Sequence, residues 1–261
     1  MRLIKSGDVW QLGKWEFKFE YDNEADVEKI TNRIESFENS TKIPQNAFNA
    51  FFGSDKLTQI TIPNIVTDVG ERAFCNCEGL TQITFSEPSS VISIGERAFL
   101  CCSFLGQITI PSSVNSLGDS AFCGCVSLQK IIFSNSSRLV SIGKRAFDSC
   151  HDLRQITIPS SVTSIGDMAF NYCSSLTSIT IPSSVTSIGE NVFFNCKKLQ
   201  EIKISESLFK SIGKNNIYKK LGLNSNVKIL DLDLEGKDGL TRLEWEVPTQ
   251  ENIQDEGCTI Y

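Results

Sequence analysis

Long apolar segments are missing from this chain. No stretch of about 18 consecutive apolar residues occurs among its 261 residues, so the sequence predicts no membrane-spanning helix. The first residues, MRLIKSGDVW, also lack the apolar run of about seven residues that a secretory signal needs. From the sequence alone we therefore expect a cytoplasmic protein.

Histidine is scarce, and basic residues do not outnumber acidic ones. The single histidine, His151, stands between Cys150 and Asp152, and neighbours in sequence do not form a catalytic pair in space. The glycines are dispersed along the chain, so there is no glycine-rich phosphate loop. With a net charge of -6, the chain lacks the basic excess that phosphate-backbone binding requires. We predict no nucleic-acid partner, no catalytic residues and no cofactor.

What the sequence has is an internal repeat. Its consensus is L-x-x-I-x-I-P-S-S-V-x-S-I-G-x-x-A-F-x-x-C-x-x, and successive units are 23 or 25 residues apart. The longer units carry their extra residues after Phe85 and after Phe133, as loop insertions on one face of a solenoid would. The units open at Leu57, Leu80, Leu105, Leu128, Leu153, Leu176 and Leu199. The chain is therefore predicted to be a repeat solenoid.

The unit at 153–175 shows the physical logic of the repeat. Ile156 and Ile158 alternate with polar residues, which predicts a strand, and Pro159 ends it. Gly166 recurs at the same place in the other units, and we interpret it as a turn with positive φ. The Ala-Phe pair that follows is expected in a short helical or 3-10 turn. Stacking of the units would form an aromatic column from Phe48, Phe74, Phe99, Phe122, Phe147, Phe170 and Phe193.

Most of the ten cysteines occupy one repeat position. We interpret this column as small buried residues, because a free cysteine behaves as a small hydrophobe. Disulfides along the column, which would need an oxidising compartment, are an alternative. Cys75, Cys101 and Cys123 stand beside the column at spacings too short for a zinc site, so we predict no metal. The column consists of Cys77, Cys102, Cys125, Cys150, Cys173 and Cys196.

The unit I-P-S-S-V-T-S-I-G-x-x-A-F-x-x-C-x-x-L-T-x-I-T-I resembles the BspA-like leucine-rich repeat over about residues 43–213. This resemblance implies a right-handed leucine-rich-repeat horseshoe that is mainly β, has short helical or 3-10 turns and is capped at both ends. For some members of the family it also implies a cell-surface or adhesion role. It supplies no catalytic residues.

The ends of the repeat array predict caps, because an uncovered terminal repeat would expose its apolar face. Residues 15–21 alternate like a strand, and residues 24–37 have the apolar spacing of a short amphipathic helix. The predicted organisation is an N-terminal cap at 1–56, a solenoid at 57–220, a C-terminal hairpin cap at 221–247 and a flexible tail at 248–261.

The outward face of the predicted strands is the expected contact surface. Its positions form two columns of mostly uncharged hydrogen-bonding side chains, and the unit at 128–152 differs by placing Lys130 and Ile132 there. We predict that this face binds a protein partner, although a merely solvated strand face would have a similar composition. The predicted contact residues are Gln59, Thr61, Gln82, Thr84, Gln107, Thr109, Lys130, Ile132, Gln155, Thr157, Ser178 and Thr180.

Cys258 stands apart from the repeats, as the fourth residue from the end of the sequence. That position fits the C-a-a-X prenylation pattern, although Thr259 and Tyr261 depart from the usual residues. One lipid chain alone anchors weakly. Two functional alternatives follow: a monomeric interaction scaffold in the cytoplasm, or a surface or adhesion protein. Membrane association through a lipid on Cys258 is open for either.

Overall fold

The computed structural model describes residues 3–6, 8–19, 24–36, 39–48, 57–213 and 216–232. It shows a mainly β solenoid of stacked turns with few helices, which confirms the predicted fold class. In chain order the strands are β1 (Leu3–Ser6), β2 (Val9–Leu12), β3 (Trp15–Phe19), β4 (Lys42–Ile43), β5 (Leu57–Ile62), β6 (Asp68–Val69), β7 (Gln82–Phe85), β8 (Ser93–Ile94), β9 (Gln107–Ile110), β10 (Ser116–Leu117), β11 (Lys130–Phe133), β12 (Ser141–Ile142), β13 (Ser164–Ile165), β14 (Ser178–Thr180), β15 (Ser187–Ile188), β16 (Glu201–Ile204) and β17 (Lys228–Asp231). The helices are α1 (Glu24–Glu35), α2 (Glu206–Ile212) and α3 (Ile217–Leu221). None of these helices has the length and apolar character that crossing a membrane requires.

The opening residues of the units form two parallel sheets that isolated bridges connect at residues 155–158, together here called the strand wall. It consists of β5, β7, β9, β11, the segment 155–158, β14, β16 and β17. The strands form because inward isoleucines alternate with outward polar residues, a pattern that suits a half-buried pleated surface. At its N-terminal end the wall is extended by β1, β2 and β3, which pair antiparallel, with β3 antiparallel to β5.

A second sheet, here called the second wall, was not expected from the sequence. It consists of two-residue parallel strands at the Ser-Ile position of the consensus, in the order β4, β6, β8, β10, β12, β13 and β15. In β4, β6 and β10 this position holds Lys-Ile, Asp-Val and Ser-Leu instead. The aliphatic second residue of each pair points into the core and the polar first residue points outward. Two residues are too short to produce an alternation signal, so this pairing becomes visible only when units are stacked.

The segment from the repeat glycine to the column cysteine is here called the turn wall. In the unit at 143–150, three local bonds close successive turns, with the amides of Ala146, Asp148 and Cys150 donating to carbonyls three residues earlier at 3.1–3.3 Å. The intervening amides of Arg145 and Phe147 donate to the next unit at 2.8 Å. Because alternate amides leave the local chain, the segment is a series of turns and differs from the helical or 3-10 turn that we expected.

The repeat glycine serves close approach between units, and the predicted positive φ is wrong for most of its copies. At Gly143 an added Cβ would lie 2.6 Å from the carbonyl carbon of Gly118, a separation that real Cβ atoms do not adopt. The positive φ falls two residues later, at Arg145, where it is 54°. Gly213 is the exception, with a φ of 84° and open space around its missing side chain.

The predicted aromatic column is confirmed. Seven phenylalanines, from Phe48 to Phe193, stack with 4.4–5.8 Å between neighbouring ring centroids and 9–17° between ring planes. All seven are among the fully buried side chains of the core. Each offset pair adds about 0.5–1.5 kcal/mol to the burial of its ring area. The column therefore links neighbouring units along the whole array.

The two ends of the turn wall differ in which backbone groups lack a neighbouring unit to bond with, and a different helix covers each end. At the first unit the free groups are carbonyls, and the guanidinium of Arg33 in α1 donates to those of Ala47 and Asn46. At the last unit the free groups are amides, and those of Asn191 and Phe193 donate to carbonyls at the end of α3, at 2.6 and 2.9 Å. A helix C-terminus has unpaired carbonyls and so suits the second task.

The segment after Ile204 replaces the usual Ala-Phe-Cys turns with α2 and α3. β17 then pairs in parallel with β16 and continues the strand wall, at the place of the first arm of the hairpin predicted for residues 221–247. The second arm of that hairpin, the predicted tail at 248–261 and Cys258 lie outside the described residues.

Candidate binding face

The structure brings the predicted contact residues together on the outward face of the strand wall. The register joins Gln82, Gln107, Lys130 and Gln155 in one column. The second column follows the same register two residues further along each strand. Most of these side chains are exposed, while Gln59, Thr61 and Ile132 are half-buried. The two half-buried residues at the start of the columns lie beside β3.

Charged residues border the uncharged part of this face. On the N-terminal side, Lys18 and Glu16 of β3 pair with the first residue of each column, and Lys18 also bonds Asp8 at 2.9 Å. On the C-terminal side the columns continue with Glu201 and Lys203. Between these borders Lys130 is the charged residue of the two columns. The face is therefore an amide and hydroxyl surface with one internal positive charge.

Proline decides how tightly each strand pairs with the preceding unit. Ser86 and Ser134, which follow β7 and β11, donate their amides to the preceding unit at 2.9 and 3.0 Å, and both strands pair there at four positions. Pro111 follows β9, and β9 pairs with β7 at one position. Pro159 follows the segment 155–158, which is held by isolated bridges to Lys130 and Thr180. A proline has no amide to donate, so the ladders that join β9 and the segment 155–158 to the preceding unit are short.

A groove lies where the strand wall is weakest, between β11 and the segment 155–158. Its volume is about 350 Å³. It lies beside a unit with two extra residues, in which Ser136 adopts a positive φ of 61°. The groove is lined by Lys130, Ile131, Ile132, Phe133, Ser134, Ser136, Ser137, Thr157, Pro159 and Ser160.

Sequence analysis identified Lys130, Ile132 and Thr157 but missed the serine rim of the groove. The relevant signal was the 25-residue spacing of the unit at 128–152, which we interpreted only as a loop insertion. Since the groove forms between that loop and the next unit, its rim could not be deduced from one unit alone. Among the described ion pairs none involves Lys130, so its ammonium group is available to a ligand.

The column cysteines are confirmed as buried thiols, and they also donate hydrogen bonds. The Sγ of Cys150 lies 3.2 Å from the carbonyl of Phe122 in the preceding unit, and Cys173 makes the same contact with Phe147. Burial raises the pKa of both thiols far above its ordinary value, and it raises the pKa of Cys196 to about 12. Such thiols are poor nucleophiles. The carbonyls of Phe122 and Phe147 also accept from an amide of their own unit at 3.3 Å, so each thiol adds a second hydrogen bond that joins neighbouring units. This bond explains cysteine at this position better than small size alone.

Outside the column, Cys101 and Cys123 are half-exposed, and Cys75 is buried with a pKa that burial raises. In the described part of the chain no group of three or more histidine, cysteine or acidic residues could hold a metal ion. His151 is exposed in the turn after Cys150. The column thiols thus serve as structural contacts between neighbouring units.

A buried carboxylate lies on the turn wall, away from the strand face. Asp148 is 4% exposed and accepts hydrogen bonds from Ser149 at 3.0 Å and from Asn171 at 3.1 Å. Burial raises the pKa of Asp148, and the two hydrogen bonds together with Arg145 offset part of that rise. The group joins two neighbouring units.

The chain matches the family model described as BspA type Leucine rich repeat region, in six copies, over residues 26–140 and 135–231. Among solved structures it is similar to the Leucine Rich Repeat protein TpLRR of T. pallidum, at 28% identity over 56% of this chain and 64% of that chain, with a TM-score of 0.44. It is also similar to a leucine rich cell surface protein of Faecalibacterium prausnitzii A2-165, at 26% identity over 69% and 62% of the two chains, with a TM-score of 0.33. The chain spans less than two thirds of the length of each of these proteins. Among curated proteins none matches.

Proposed function

The chain belongs to the family of BspA type leucine-rich repeat proteins, and from this premise we propose that it is a non-enzymatic scaffold whose strand face binds a protein partner. The main support is the register of the strand wall, which aligns two columns of exposed hydrogen-bonding side chains. Their inward neighbours are the buried isoleucines of the core. The outward residues thus present a surface to a partner while the inward ones maintain the fold.

Position-specific photocrosslinking tests this proposal. A benzophenone amino acid is placed at Thr109 on the strand face and, as a matched control, at Thr163, an equally exposed threonine beside the second wall. In the cells that make the protein, we expect irradiation to give an adduct of defined mass at Thr109. Equal or stronger adducts at Thr163 would place the contact surface elsewhere.

Charge reversal then tests whether these side chains make the contact. Acidic residues are introduced across Gln107, Lys130, Ile132, Gln155 and Thr157, and the thermal transition is measured to confirm that the fold is kept. We expect the adduct to disappear while the melting temperature changes little, because these positions contribute little to the core. Persistence of the adduct in a folded variant would contradict the proposal.

The place where the scaffold works is a second part of the proposal. We favour the cytoplasm, with a surface or adhesion role as the alternative and with a lipid on Cys258 as a route to the membrane. The two sequons at Asn39 and Asn135 are exposed and would accept glycans on an exported chain. Intact mass of the native protein, with thiols blocked at lysis, separates the outcomes: thiol adducts alone support the cytoplasm, added lipid mass supports anchoring, and added sugar mass supports export.

A further inference from the structure

The groove beside β11 differs from the rest of the strand face in charge. Lys130 lies on its floor without an ion pair among the described residues, and the residues that line it include no acidic group. A lysine without a partner, in a face of otherwise neutral side chains, favours an anionic group on the ligand. A carboxylate is the anionic group that an unmodified protein partner supplies.

The groove also has an apolar contact at a defined distance from that charge. Ile132 is half-buried and points to the same side of β11 as Lys130, because side chains two apart in a strand share a face. The separation along the strand is about 6.6 Å, twice the rise per residue. An extended peptide that runs parallel or antiparallel to β11 repeats its own side chains at this same spacing.

Hydroxyl groups line the two sides of the groove. Ser134 and Ser136 belong to the loop after β11, and Thr157 and Ser160 belong to the facing segment. Hydroxyls both donate and accept hydrogen bonds, and so can pair with the exposed amides and carbonyls of an extended backbone. The volume of about 350 Å³ is at the lower end for ligand sites, and suits a short peptide stretch better than a folded domain.

We infer that the groove binds an extended peptide segment in which an acidic and an aliphatic residue are two positions apart. The carboxylate pairs with the ammonium group of Lys130, and the aliphatic side chain packs on Ile132. The inference rests on the proposed function, because it names the kind of partner segment that the strand face would hold.

Fluorescence anisotropy with the full chain tests this inference. The probes are labelled synthetic peptides of the pattern Glu-Thr-Val and the reverse, Val-Thr-Glu, with Gln-Thr-Val and Val-Thr-Gln as neutral partners. We expect one of the two acidic peptides to bind more tightly than its neutral partner by about three- to fivefold, as an exposed ion pair allows. The difference should shrink as salt is added. Equal binding of the acidic and neutral peptides would overturn the inference.

Two substitutions restore the consensus chemistry and should therefore keep the fold. Lys130→Gln is expected to abolish the preference for the acidic peptide over its neutral partner. Ile132→Thr is expected to abolish the preference for the acidic peptide over a version in which alanine replaces its valine. Lys228→Gln is the matched control, since Lys228 is an exposed lysine of the same column at the far end of the strand wall. An equal loss with Lys228→Gln would show general charge attraction and would overturn the site.

The same variants separate this inference from the proposed function. If the adduct at Thr109 persists in Lys130→Gln and the peptides do not discriminate, the strand face remains the contact surface and the groove is not its anchor. Binding of uncharged oligosaccharide instead of the acidic peptide would overturn the inference. The inference would also be overturned if the protein bound no peptide but self-associated, and if Lys130→Gln abolished that self-association. The occupant of the groove would then be a second copy of the chain.

Discussion

The turn wall and the strand wall are built from the same repeats, yet they tolerate variation very differently. In the turn wall, glycine recurs because neighbouring backbones approach so closely that an added Cβ at Gly143 would meet the preceding unit at 2.6 Å. Phenylalanine and cysteine recur there because the rings stack, and the thiols bond, from one unit to the next. In the strand wall the outward positions hold glutamine, lysine, serine or glutamate in one column. A repeat residue is therefore fixed where units touch and free to specialise where its side chain faces solvent.

The largest effect is expected in the aromatic column. Phe147→Ala should lower the free energy of unfolding by about 3–5 kcal/mol, since it removes a fully buried ring between two stacked neighbours. The control is Phe104→Ala, at a phenylalanine that is 58% exposed, where we expect a change within about 0.5 kcal/mol. Urea denaturation measures both, and similar losses would contradict the stacked column.

A glycine pair tests the close approach of backbones. Gly143→Ala should cost about 1–3 kcal/mol, because the new methyl group would overlap the backbone of Gly118. Gly106→Ala adds the same methyl group where no atom lies within 4 Å, so its effect should stay within about 0.5 kcal/mol. If both substitutions were neutral, crowding between units would not explain the repeat glycine.

The thiol column should show a smaller effect. Cys150→Ala removes the hydrogen bond to the Phe122 carbonyl, 3.2 Å away, and should cost about 1 kcal/mol in the free energy of unfolding. Cys101→Ala changes a half-exposed thiol and should be nearly silent. The measurement is again urea denaturation, under reducing conditions. If Cys150→Ala left the free energy of unfolding unchanged, the small size of cysteine alone would explain the column, without the hydrogen bond.

The smallest effect is a dependence of stability on pH from Asp148. Because burial raises the pKa of this carboxyl in the folded protein, its ionised form costs stability, and the cost is relieved as pH falls through the folded-state pKa toward the ordinary value of 3.8. Asp148→Asn should remove this rise in stability at low pH without a loss at neutral pH. The test is to measure the melting temperatures of both proteins between pH 7 and 4. If the melting temperatures of the two proteins changed with pH in the same way, Asp148 would not be the source of the pH dependence.

Sequence periodicity predicted the parts of the fold that lie within one unit. The inward isoleucines, the phenylalanine column and the cysteine column are single positions repeated at a fixed spacing, so stacking follows directly from them. The role of Gly143 was misjudged because its constraint comes from the backbone of another unit. The groove was missed for the same reason, since it results from Pro159 in one unit and the inserted serines of the unit before it.

Native-state hydrogen exchange tests most directly whether a continuous turn wall supports a strand wall that is interrupted at the groove. The amides of Phe122 and Phe147 donate to the next unit at 2.8 Å, and we predict that they exchange only through global unfolding. The amides of residues 155–158, held by isolated bridges, should exchange faster through local opening. If residues 155–158 were protected as strongly as the turn-wall amides, the interrupted sheet, and with it the origin of the groove, would be contradicted.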